Sequence, residues 1–167
     1  GGINGFHKII SRIPSDKNLV VLLNNTGGAP LSEMKNAING ILYGTAYKMP
    51  KKSLAIELMN IILEKGIQSG IEEFNKLKES DTYSLGEDDM NTVGYQFLQD
   101  DKVKEAIAVF KLNVQEFSAS ANAYDSLGEA YMKDGNKPLA IKNYKKTVEL
   151  NADNPNAIEM LKMLEVQ

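Results

Sequence analysis

No cysteine occurs among the 167 residues, which removes disulfides, zinc-finger sites and thiol catalysis together. The compartment stays open on that ground, because a cysteine-free chain is stable in either redox setting. Positive charge is also scarce. Nineteen Lys and Arg against 22 Asp and Glu give a net charge of −3 and a pI near 5.3. There is thus no basic face to meet a phosphate backbone, and neither nucleic acid nor an anionic membrane is an expected partner. Long apolar runs are missing too. The longest, Leu19 to Leu23, falls far below the ~20 residues of a membrane helix, and no stretch carries the basic and apolar regions of a signal peptide. His7 is the single histidine, so a histidine metal cluster has no second member, and a solvent-facing strand position is the expected reading. What is present is ordinary globular usage, 43% hydrophobic and 25% charged, sufficient for one domain or two small ones.

The chain repeats itself. Met90 and Tyr124, Gly94 and Gly128, Ala106 and Ala140, and Phe110 and Tyr144 are each 34 residues apart, the spacing of a two-helix unit that buries its apolar face on its neighbours. Gly128 and Ala140 are small, so two antiparallel helices approach closely, while Tyr124, Leu127, Tyr131 and Tyr144 fill the space around that contact. The stretch NAYDSLGEAYMKDGNKPLAIKNYKKTVELNADNP resembles the tetratricopeptide repeat, with these residues at that family's small and large signature positions. The preceding unit carries the same pattern in Val93, Gly94, Phe97, Ala106 and Phe110.

Further upstream, SLAIELMNIILEKGIQSGIEEFNKLKES keeps the logic in degenerate form, with Gly66 as a helix C-cap and Gly70, Ile71 and Phe74 on the packing face. Downstream, a helix from Pro155 caps the last repeat. The pattern predicts helices over 53–65, 68–79, 87–99, 103–116, 121–133, 138–150 and 155–165. The expected fold is mainly α: a tetratricopeptide-like solenoid of antiparallel helix pairs, preceded by a small β-hairpin and helix. In domains, that places the hairpin unit at 1–48 and the repeats at 49–167, divided into 53–80, 87–120, 121–154 and a capping helix 155–167.

The first fifty residues obey different rules. Phe6, Ile9, Ile10 and Ile13 favour extended chain, PSDKN is turn chemistry, and LVVLLNN is an uninterrupted apolar run that predicts burial on both sheet faces. Leu31, Met34, Ile38, Ile41 and Leu42 form one helical stripe ending at Gly44, able to cover one face of the strand pair. Nothing nearby covers the other, which leads us to expect that the hairpin, residues 3–24, joins two copies as a homodimer or folds back near Leu54–Ile62.

The order Gly1, Gly2, Gly5, Phe6, a strand, a basic-acidic turn, a strand ending in Asn24 and the Leu31–Tyr43 helix resembles the last strands of serine beta-lactamase-like hydrolases, relatives of the penicillin-binding proteins. The resemblance implies a bacterial parent enzyme with an extracytoplasmic, periplasmic-type location, whose catalytic domain is a partner of this region. It places Gly1 and Gly2 at the border of the parent's substrate cleft. The chain itself is expected to be no enzyme. The family's nucleophile lies in Ser-x-x-Lys, where the lysine amine helps remove the serine proton; the spacing occurs here as Ser32-Glu-Met-Lys35, but on the C-terminal helix, where the family keeps no nucleophile. Ser32 suits an N-cap and Glu33 a first helical turn. The Ser-x-Asn element appears only as Ser120-Ala-Asn122, at an inter-helix turn where capping explains it.

In tetratricopeptide arrays the first helices of successive repeats line a concave groove, and the resemblance implies a protein or peptide partner there. The groove positions are Asp88, Asn91, Tyr95, Leu98, Gln99, Asn122, Asp125, Glu129, Met132 and Lys133. Some arrays of the family hold a peptide's terminal carboxylate with paired Lys and Asn; Asp88, Asn91, Asp125 and Ser126 at the corresponding positions would repel it. The carboxylates of Gly86–Asp89 read as dipole complements at a helix start, not a calcium site. No metal and no cofactor is expected, since the Tyr and Met residues at repeat spacing read as core. Two functions remain: a non-catalytic C-terminal docking region of a hydrolase, or an autonomous peptide-binding adaptor.

Overall fold

The computed structural model describes residues 2–3, 6–24 and 29–165. They divide into two compact units, one of Gly1–Ser53 with Ser80–Ser84, the other of Leu54–Glu79 with Leu85–Gln167. The division falls later than the boundary expected after residue 48. The cause is a parallel strand pair, β4 (Lys52–Ser53) on β5 (Tyr83–Ser84), which the sequence pattern does not signal at two residues each. The Lys52 amide donates to the Thr82 carbonyl at 3.0 Å, and Lys51 reaches Asp81 at 3.5 Å.

The first unit is built on an antiparallel sheet of β1 (Gly2–Ile3), β2 (Phe6–Ile13) and β3 (Asn18–Asn24) in that order. The expected hairpin is there, with β1 as a short third strand beside it. Pro14–Asp16 make a single 3₁₀ turn, and Lys17 closes it at φ 56° with its amide on the Pro14 carbonyl, a left-handed conformation common in tight turns. Register pairs Ile10 with Val21, Arg12 with Leu19 and Lys8 with Leu23, so these six side chains share one face. Helix α1 (Leu31–Tyr43) packs against β2 and β3, and Val20 is buried beside half-buried Ile9 and Leu22 on the opposite face. Two-sided burial of the apolar run is therefore corrected. Ile10, Leu19, Val21 and Leu23 are 65%, 61%, 46% and 76% exposed, because one helix covers one face only.

Helix α1 has the bounds expected, yet Ser32 does not cap it. The Pro30 carbonyl accepts the first helical bond, from the Met34 amide at 2.9 Å, which makes Pro30 the cap residue and puts Ser32 inside the first turn beside Glu33. Gly44 ends the helix at φ 62°, a left-handed cap. Gly40 has a different task. A Cβ there would lie 2.5 Å from Tyr47 Cβ, so only glycine lets the segment after α1 fold onto the helix.

The second unit is a stack of helix pairs: α2 (Leu54–Lys65) with α3 (Ile67–Leu77), α4 (Glu87–Gln99) with α5 (Val103–Glu116), α6 (Ala121–Lys133) with α7 (Lys137–Leu150), and α8 (Pro155–Glu165) against α7. This is the tetratricopeptide-like array expected. Tyr144, Phe74, Phe97, Phe110, Leu54, Leu58 and Met90 are its largest fully buried side chains among the described residues. The glycines set the inter-helix distance: a Cβ on Gly94 would stand 2.4 Å from the Phe110 ring, and one on Gly128 2.9 Å from the Tyr144 ring. Gly66 joins α2 to α3 at φ 85°, and Gly135 turns α6 toward α7 at φ 76°. The residue equivalent to Gly135 in the preceding unit is Asp101, held at φ 56° with its carboxylate 2.7 Å from Lys133 Nζ.

Candidate functional site

The first helices of the pairs lie side by side and are joined by polar bonds whose partners sit 31 to 35 residues apart. At the amino end of α4, Glu87 Oε1 accepts from Ser120 Oγ at 2.6 Å and from Asn122 Nδ2 at 3.1 Å. Midway along α4 the Tyr95 hydroxyl donates to Glu129 Oε2 at 2.5 Å and lies 3.3 Å from Ser126 Oγ. Its ring stands edge-on to Phe110, centroids 5.3 Å apart. Burial, then the Glu129 carboxylate, hold the Tyr95 hydroxyl above its ordinary range. At the carboxyl end Lys133 Nζ donates to the Leu98 carbonyl and bridges to Asp101. On the far side of α6, Asn156 Nδ2 of α8 donates to Asp125 Oδ2 at 2.9 Å.

The expected groove residues lie on α4 and α6. Asp88, Gln99, Asn122, Glu129 and Lys133 are exposed, and Asn91, Tyr95, Asp125 and Met132 are half-buried. Leu98 is the exception. It is 8% exposed and belongs to the core, because at the last turn of α4 its side chain falls on the stripe of Met90, Val93 and Phe97 rather than on the polar face. Glu87, Asp101, Ser120 and Asn156 join the network from outside the expected groove positions. Adding 31 to 35 to each first-helix polar residue finds the pairs Glu87–Asn122 and Asp125–Asn156 directly in the sequence.

Among the described residues, Asn91 Oδ1 of α4, Asp125 Oδ1 of α6 and the Tyr144 hydroxyl of α7 are buried without a hydrogen-bond partner. Burial, then the charge of Glu129, raise the Asp125 carboxyl, and the Asn156 hydrogen bond opposes the shift.

The chain matches no protein-family model and no curated protein sequence. Solved structures are similar to part of the chain. The first tetratricopeptide domain of Spaghetti (RPAP3), bound to the HSP90 peptide SRMEEVD, is 20% identical with a TM-score of 0.49, over 71% of this chain and 97% of that one. The first such domain of human RPAP3 is 18% identical, TM-score 0.48, over 68% and 87%. The N-terminal domain of stress-induced protein-1 from C. elegans is 19% identical, TM-score 0.44, over 66% and 94%.

The remaining candidates fare differently. Ser120 caps α6, accepting from the Ala123 amide at 3.2 Å. Glu87, Asp88 and Asp89 form the first turn of α4 behind Gly86, and no group of three metal-ligating side chains exists among the described residues. Ser32 and His7 are exposed and line one cleft with Glu33, a neighbourhood the sequence spacing conceals. No hydrogen bond joins the three among the described residues. Gly2 lies in β1, while Gly1 and Gly5 fall outside the described residues.

Proposed function

We propose that this chain is a docking region whose array binds a protein or peptide along its first-helix groove, and that its first unit is the C-terminal part of a serine beta-lactamase-like hydrolase domain. The observation that carries the pairing is the outer face of the sheet. Four large apolar residues stand there in register, on a strand, turn, strand and helix in the order that the hydrolase resemblance requires. A face of that composition is suited to cover by further protein. The groove supports the docking part, since its polar side chains are displayed along successive helices as in other peptide-binding solenoids. The array's own large core, from Leu54 to Leu164, favours a second reading as an autonomous peptide-binding adaptor.

Sequencing the reading frame ahead of the codon for Gly1 separates the two. Under the first reading a Ser-x-x-Lys and a later Tyr-x-Asn are expected upstream in frame. A start codon immediately ahead of Gly1 would overturn it in favour of the adaptor.

A further inference from the structure

A cavity of about 590 Å³ is lined by the second helices α5 and α7 together with α6, a volume within the ~300–1,000 Å³ usual for ligand sites. Buried Leu127 and Tyr131 and half-buried Val114, Tyr124 and Leu139 give it an apolar lining. None of its residues belongs to the expected first-helix groove, so it is a separate surface. The preceding repeat shows what the same positions otherwise hold. Thirty-four residues before Lys142, Asn143 and Lys146 stand Ala108, Val109 and Leu112, and all three are buried in the core. Apolar residues there are compatible with the fold, which therefore does not require the two lysines. Lys142 and Lys145 line the cavity from exposed positions on α7. From α5, Lys111 Nζ lies 5.9 Å from the centre of the Tyr131 ring. Glu149 is the acid of the lining, and Lys146 holds its carboxylate at 2.5 Å. Cations thus gather around an apolar, aromatic cavity on a chain whose net charge is −3.

We infer that this cavity docks an acidic peptide segment of a protein partner, seating one aromatic side chain against Tyr124, Leu127 and Tyr131 while flanking carboxylates meet Lys111 and Lys142. Tyrosine rings favour an edge-on or offset aromatic guest, and the apolar surface removed from water supplies affinity. Lysine ammoniums are compact charges on flexible stems, so they accept carboxylates in several geometries and select by sign. A basic segment meets repulsion at the same place. The site stands whether or not the first-helix groove is occupied.

The test is fluorescence anisotropy on the full chain with three labelled heptapeptides blocked at both ends: a central phenylalanine among glutamates, the same with alanine for phenylalanine, and the same with glutamine for every glutamate. The first is expected to bind, with the alanine peptide weaker by about tenfold or more and the glutamine peptide by about tenfold. Lys142→Ala combined with Lys146→Leu rebuilds the residues of the preceding repeat, and should weaken the first peptide about tenfold while keeping the denaturant midpoint. Lys111→Gln, which leaves α7 untouched, should weaken it about threefold, and the exposed change Lys65→Gln on α2 should leave it unchanged. No binding of the first peptide, equal binding of either counterpart, or a Lys65→Gln loss as large as that of the double variant overturns the inference. So does tighter binding of a labelled mixed-sequence single-stranded RNA, which would make the lysines a phosphate surface, or displacement by 3-phenylpropionate as effective as by unlabelled peptide, which would make the cavity a small-molecule site. If the first peptide binds and neither the double variant nor Lys111→Gln alters its affinity, the peptide sits elsewhere: this inference falls and docking stands.

Discussion

Asp125 has one carboxylate oxygen held by Asn156 at 2.9 Å and the other buried without a partner. Burial is the main cause of its raised pKa, and the neighbouring Glu129 adds to it. The folded chain therefore holds this proton more tightly than the unfolded chain. Ionised Asp125 lowers stability in full above its folded pKa. The loss fades as the pH falls through that value and is gone below the ordinary aspartate range, about 3.9. Asp125→Asn keeps the shape and an acceptor for Asn156 while removing the charge. The variant is expected to be at least as stable as the parent at pH 7, with an advantage that shrinks by pH 4; denaturant midpoints at the two pH values measure it. A variant that is less stable at pH 7 would show that the carboxylate is held by favourable contacts instead. The acidic character of position 125 was legible in the sequence. Its half-burial was not, because that depends on α8 laying Asn156 over it.

The helices were the most legible elements, and α4, α5, α6 and α8 have the bounds that periodicity predicted. Small residues at repeat spacing, the acidic first turn of α4 and the Ser120 cap all point to the same helix ends. The short strands β1, β4 and β5 escaped, since two residues carry no period. Close packing at the glycines allows a sharper claim than overall stability. In a helix interior Gly→Ala gains about 1 kcal/mol of propensity, whereas overpacking costs about 1–3 kcal/mol. At Gly94 the new Cβ would meet three atoms of the Phe110 ring between 2.4 and 2.8 Å, while at Gly128 the nearest approach to Tyr144 is 2.9 Å. Both rings are wholly buried and have little room to yield. Gly94→Ala is expected to be destabilising by about 1–2 kcal/mol net, and Gly128→Ala by less. Thermal or urea unfolding ranks the two, and the reverse order would mean that α4 and α5 separate more easily than α6 and α7.

At the scale of the whole molecule the two units are unequal. The array buries aromatic and aliphatic side chains along its length, whereas Val20, Leu31 and Ala37 are the buried apolar residues of the sheet and its helix among the described residues. The sequence announced the apolar run from Leu19 to Leu23 correctly and its surroundings incorrectly. Apolarity is a property of the residues, but burial requires a second cover that α1 does not provide. The uncovered face holds Ile10, Leu19, Val21 and Leu23, each worth ~1.5–3 kcal/mol if fully removed from water. Two such faces meeting could offset an association cost of ~4–15 kcal/mol. Lys8 and Arg12, exposed on the same face, oppose a close like-charged approach and favour a weak complex. We therefore expect reversible self-association at high concentration. Light scattering should report the 18.4 kDa monomer on dilution and a larger mass as concentration rises, while amide exchange slows in residues 6–24 and stays constant in α4 to α7. Val21→Asp, at a side chain already 46% exposed, should keep the chain monomeric throughout without altering the unfolding of the array. A wild-type mass independent of concentration, together with unchanged exchange in β2 and β3, would show that the sheet tolerates its apolar face in water and needs no second protein surface.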